Sequence, residues 1–160
     1  MKQNNFLIAS VILLLACGCN WASAQSRQNA NLDEAKKAIA ESNAIYFTSF
    51  VKNDPSIFIA RYAEDACIMP PDSPPLCGPG AAADFFKIAY DQILLRDGKF
   101  ITTAVYGDGK EFVAEEGQWQ SFDANHHLMD DGKFLVLWKK TSKGWKMFRD
   151  SFSSNHPKTN

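Results

Sequence analysis

Gly132-Lys-Phe-Leu-Val-Leu-Trp-Lys-Lys-Thr-Ser-Lys-Gly-Trp-Lys-Met-Phe-Arg-Asp150 is the stretch that decides the fold. Two runs rich in apolar and aromatic residues, 133–140 and 145–153, flank a short turn-forming segment, 141–144. That pattern predicts an antiparallel hairpin. The first run is apolar at five successive positions, Phe134, Leu135, Val136, Leu137 and Trp138, which predicts a strand covered on both faces. Upstream, residues 100–106 and 111–122 read as two more strands joined by Gly107-Asp108-Gly109, and residues 123–132 read as a polar loop. Strands that follow one another through turns make an antiparallel sheet.

The N-terminal half has a different period. Asn31-Leu-Asp-Glu34 has the form of a capping box. Leu32, Ala35, Ile39, Asn43, Tyr46 and Phe50 then recur at spacings of three and four, one face of a helix. Asn53-Asp54-Pro55 ends that helix and starts a second, which runs to about residue 63. Residues 66–69 predict a brief strand ending at Pro70-Pro71, and residues 81–95 a third helix. Three helices against one face of an antiparallel sheet is an α+β architecture.

The chain has 160 residues, enough for one domain and too few for two of ordinary size. A hydrophobic content of 46% excludes wholesale disorder. Lys and Arg number 17 against 18 Asp and Glu, which removes the electrostatic reason to expect a nucleic-acid partner.

Part of that hydrophobicity belongs to an export signal. Residues 6–16 are an unbroken run of apolar and small residues behind Lys2, too short to span a bilayer. Ala22-Ser23-Ala24 offers a cleavage site that makes residues 1–24 a signal peptide. Leu14-Leu15-Ala16-Cys17 offers the alternative of a lipoprotein, with Cys17 lipidated and the protein held at a membrane by that lipid alone. Both routes export the domain, to the periplasm or beyond. Cleavage after Ala24 removes Lys2 and no acid, so the net charge becomes −2. It leaves a polar leader at 25–31 expected to be disordered, a domain at 32–155 and a tail at 156–160. Cys67 and Cys77 remain on either side of a Pro-rich segment. They are a disulfide candidate in an oxidising compartment, or two buried thiols.

Three stretches resemble the nuclear transport factor 2-like superfamily, nearest its SnoaL-like branch. They are Phe58-Ile-Ala-Arg-Tyr-Ala-Glu-Asp-Ala-Cys-Ile-Met-Pro-Pro71, the helix start at 78–86, with Ala82 where the family usually has Ile, and the hairpin at 132–150. The resemblance covers about 32–155. It implies a cone-shaped, cystatin-like fold in which a curved antiparallel sheet wraps three N-terminal helices around a cavity. It does not fix an activity, because the fold hosts enzymes, binders and dimerisation modules.

By the same resemblance, Tyr46 falls where ketosteroid isomerase carries its oxyanion-hole tyrosine, counting from Asp54. The isomerase's base position is occupied by Pro70, which cannot accept a proton. That argues against ketosteroid isomerase chemistry. Asp150 stands where SnoaL-like relatives often have Asp, and Glu115 shares one strand face with Trp119. Tyr46, Asp150 and Glu115 are thus the candidate catalytic residues. Tyr46, Phe50, Tyr62, Met69, Phe86, Trp119 and Trp138 are the candidate pocket. His126-His127 with Asp130-Asp131 reads as a solvated loop, so neither a metal nor a cofactor is expected. The leading expectation is an exported binder of a small, largely apolar molecule. The alternatives are an isomerase, cyclase or dehydratase using Tyr46 with Asp150 or Glu115, and a dimerisation module pairing through the sheet.

Overall fold

The computed structural model describes residues 5–156, with side chains from residue 26 on. The side chains of the expected signal, Cys17 included, and residues 157–160 lie outside the described residues. Helix α1 (Asn5–Tyr46) turns Ala35, Ile39, Ser42 and Tyr46 toward the core at helical spacing. Residues 26–30, within the leader expected to be disordered at 25–31, are exposed turns of this helix. The reason is local: no Gly or Pro interrupts residues 20–46, so the helix runs through them unbroken.

The chain breaks at Phe47 and resumes as α2 (Thr48–Lys52). Asn53 takes a left-handed conformation (φ 52°), and Asp54 caps α3 (Pro55–Ile59) by accepting from the Ser56 N–H at 3.0 Å. Strand β1 (Tyr62–Met69) starts four residues earlier than expected, because Tyr62 and Ala63 are already buried against the core. A short β2 (Leu76–Cys77) follows the Pro-rich strap, and α4 (Ala81–Lys87) passes into a π-helical turn at Ile88–Gln92. Strands β3 (Asp97–Gly107), β4 (Phe112–Phe122), β5 (Leu128–Thr141) and β6 (Gly144–Ser154) complete the chain. The polar loop is shorter than expected, since pairing with β4 takes β5 back to Leu128.

The six strands form one open sheet in the order β2-β1-β6-β5-β4-β3. Every pairing is antiparallel except β1 with β6, which is parallel. The expectation of a wholly antiparallel sheet fails at that pair for a topological reason. β1 and β6 are joined by a helix and the whole meander, so no tight turn dictates their relative direction.

Phe58 lies at the centre of the core, fully buried, with the rings of Tyr46, Tyr62 and Phe50 at 4.9, 5.1 and 5.5 Å. Gly117 on β4 has to lack a side chain, because a Cβ would strike the Ile101 carbonyl and the Phe134 ring. Phe134, Val136 and Trp138 of β5 face inward and are buried. Leu135, expected to be covered, is 55% exposed on the outer face. The run is apolar on both faces, but this chain covers only one of them.

Cys67 and Cys77 face each other across the β1–β2 pair and are joined by a disulfide. It closes the strap of residues 70–75 into a short loop. Replacing both cysteines with serine is expected to lower the unfolding free energy by about 2–3 kcal/mol, through the restored freedom of the unfolded loop. Urea titration of the oxidised protein and the double variant checks this, and an unchanged midpoint contradicts it.

Candidate functional site

The sheet's concave face is not filled along its whole length. Toward the β4–β5 turn it encloses a cavity of about 570 Å³. Phe85, Ile88 and Ala89 wall it from α4 and its π-helical turn, Phe100, Trp119, Phe134 and Phe152 from the sheet, and Pro70, Pro71 and Pro74 from the strap. Ile93 and Met129 sit at the mouth, 53% and 40% exposed. π-turns of this kind recur beside functional sites.

Tyr46 and Asp150 form the polar end of the cavity. Tyr46 comes from the inward stripe of α1. Asp150 comes from β6, directly across from Ile68 of β1 and Val136 of β5. Tyr62 links the two. Its hydroxyl donates to Asp150 Oδ2 at 2.7 Å, and the Tyr46 hydroxyl lies 3.3 Å from the Tyr62 oxygen. Tyr62 has one proton and spends it on the carboxylate, so Tyr46 is the donor in the second contact. No described residue hydrogen-bonds Asp150 Oδ1. Burial, opposed by the Tyr62 hydrogen bond and assisted by the charge of Glu115, pushes the Asp150 carboxyl up to about 6. Burial, and next the charge of Asp150, hold both phenols well above their ordinary range, so they stay neutral.

Glu115 has a different place. It is fully buried and does not line the cavity. Its carboxylate accepts from Asn43 Nδ2 at 2.7 Å, Thr102 Oγ1 at 2.5 Å and Trp138 Nε1 at 2.9 Å. Burial raises its pKa and the three donors pull it back. These bonds tie α1, β3 and β5 to β4, and the carboxylate has no access to a ligand. The pairing of Tyr46 with Glu115 is therefore not made.

Of the expected pocket, Tyr46 and Trp119 line the cavity. Phe50, Tyr62, Phe86 and Trp138 are buried behind it, and Met69 is half-buried off its walls. Phe50 and Phe86 stack on each other at 4.8 Å, which seals the core, and the Trp138 indole is held by Glu115. Phe85, an apolar residue of the predicted third helix that the sequence also offers for such a pocket, lines it as well, whereas the sequence reading missed Ile88, Phe100, Phe134 and Phe152. Phe134 was within reach, because it opens the alternation Phe134, Val136, Trp138 and pairs in register with Phe152. His126 and His127 are exposed in the β4–β5 turn. His156, expected in the tail, returns to Asp131 at 2.6 Å, within a surface cluster that includes Asp130.

The same architecture recurs in solved structures. A ketosteroid isomerase-like protein from Erwinia carotovora atroseptica SCRI1043 superposes with a TM-score of 0.59 at 21% identity, over 75% of this chain and 96% of that one. A protein of unknown function with a cystatin-like fold from Nostoc punctiforme PCC 73102 gives 0.63 at 14%, over 75% and 90%. An NTF-2 like protein of unknown function from Shewanella oneidensis MR-1 gives 0.63 at 15%, over 74% and 98%. This chain has the nuclear transport factor 2-like fold. No protein-family model and no curated protein matches its sequence.

Two outcomes follow from this arrangement. Asp150 binds a proton more tightly when folded (about 6) than at its ordinary 3.8. Its contribution to stability is thus full below about pH 4 and is lost as pH rises through 6. Relative to Asp150→Asn, the protein is expected to lose on the order of 2–3 kcal/mol between pH 4 and 7. Urea unfolding of both proteins at the two pH values measures it, and a constant difference contradicts it. Glu115→Ala strands the buried Trp138 indole N–H and removes the acceptor of Asn43 and Thr102, so it is expected to cost about 2–3 kcal/mol in urea unfolding while leaving ligand affinity in the surviving folded fraction unchanged.

Proposed function

We propose that the chain is exported and binds a small, largely apolar molecule in the cone cavity. The observation that carries this reading is the contrast within one cavity: mostly apolar and aromatic walls, with the buried Tyr46 and Asp150 among its few polar residues. Pockets for small molecules have this composition, with much apolar surface and a few polar groups that fix orientation. The motifs at 58–71 and 132–150 support a place in the SnoaL-like branch. The run at 6–16 and the Ala22-Ser23-Ala24 site support export and release by cleavage, and lipidation at Cys17 is the alternative.

A second reading follows from Asp150 alone. A carboxyl near 6, with an oxygen open to the cavity, can take up and return a proton near neutral pH. Asp150 would then serve as acid or base in an isomerase, cyclase or dehydratase, with Tyr46 beside the reacting carbonyl. The base would come from β6, because the strap carries Pro70 at the isomerase position. The exposed Leu135 and Ile101 on the outer face support pairing of two copies through the sheet, and sedimentation of Leu135→Glu beside the parent protein tests it.

The binding reading is tested with N-phenyl-1-naphthylamine, a neutral probe that fluoresces in apolar sites. One probe per chain is expected, with Ile88→Trp weakening binding at least tenfold at an unchanged melting temperature. Equal binding by the variant places the probe elsewhere and contradicts the reading. Turnover of hydrophobic carbonyl compounds that disappears in Asp150→Asn would establish the enzyme.

A further inference from the structure

We infer that the cavity selects apolar ligands bearing an amine, with the ammonium seated against Asp150 and the apolar body along the aromatic walls. The inference rests on the binding reading above and names the chemical class that the site takes.

Hydrogen-bond supply at the polar end comes first. The Tyr62 proton is committed to Asp150 Oδ2, and the Tyr46 proton is directed at the Tyr62 oxygen. What remains is Asp150 Oδ1, an acceptor with no protein partner among the described residues. A ligand that reaches this end therefore has to donate. Away from that end, Ser121 spends its hydroxyl on the Asp130 carbonyl at 3.2 Å, the Trp119 indole N–H is buried without a partner among the described residues, and Ser73 sits on the exposed strap.

Charge points the same way. The cavity lining includes two acids, Asp150 and Asp130, and among the described residues no Lys, Arg or His. Asp150 is 7% exposed, so its charge is held largely out of water, with one hydrogen bond and no cationic partner among the described residues. A carboxylate in that state gains more from an arriving cation than a solvated one does. A ligand carboxylate would instead face Asp150 with Glu115 behind it. The rings of Phe100, Trp119 and Phe134 line the wall along which the apolar body would lie.

Protonation of Asp150 removes the partner, so amine binding weakens in acid. The titratable groups facing Asp150 are Tyr46 from α1, Tyr62 from β1 and, further off, Glu115 from β4. The phenols stay neutral across this range, so the pH response belongs to Asp150, with the charge of Glu115 acting on it from behind.

Isothermal titration with three probes sharing one body tests this: 4-phenylbutylamine, 4-phenylbutan-1-ol and 4-phenylbutanoate. At pH 7.5 the amine is expected to bind at least tenfold tighter than the alcohol, and the acid more weakly than the alcohol. In Asp150→Asn the amine should lose its advantage and bind no tighter than the alcohol does in the same variant. Should that variant unfold, the parent protein still decides. From pH 7.5 to 5, amine affinity should drop about tenfold, following ionisation of a carboxyl near 6, while alcohol affinity stays level. The amine itself remains charged throughout. An alcohol or acid that binds as tightly as the amine overturns the amine preference and leaves the binding reading intact. Failure of all three probes and of the neutral dye overturns both.

Discussion

The hydrogen bond from Tyr62 to Asp150 is where the packed core of this protein meets its cavity. On one side of it, Phe58, Phe50 and Phe86 fill the space between the helices and β1. On the other side the sheet curves away from α4, and the space stays open. A carboxylate at such a boundary is expensive, because burial removes its water and supplies few replacements. Tyr62 gives it one donor. The parallel pairing of β1 with β6 brings these two strands side by side, so the departure from an antiparallel sheet is also what completes the site.

The two buried acids show how position sets role. Glu115 and Asp150 both point into the concave side of the sheet and both are almost inaccessible. Glu115 is saturated by Asn43, Thr102 and Trp138, drawn from three elements, and works as a fastening. Asp150 has one protein donor and a face on the cavity. An acid with its lone pairs occupied stabilises a fold, whereas an acid with a free oxygen in an apolar chamber is available to a ligand or a proton.

The fold was legible from particular residues. Asp54-Pro55 marked a helix start, Gly107-Asp-Gly109 a turn, and the 132–150 hairpin the centre of the sheet. These are local signals, written in backbone geometry and strand alternation. Tyr46 was legible as a candidate because it lies on the apolar face of its helix, and Asp150 because the SnoaL-like resemblance puts an acid at that position. The cavity wall was less legible. Whether Phe86 seals the core or Phe85 lines the chamber depends on how far α4 stands off the sheet, and one residue of register exchanges them. The role of Glu115 depended on Asn43 and Thr102, two residues that no motif connects to it.

The site turns on a desolvated carboxyl at the end of a largely apolar chamber. Carbon-13 NMR of the Asp150 side-chain carboxyl, followed from pH 3 to 8 in the free protein, tests that claim directly. A titration midpoint near 6 is the predicted result. A midpoint near 3.8, the value of a carboxyl in water, would mean that Asp150 is solvated, and would contradict the account.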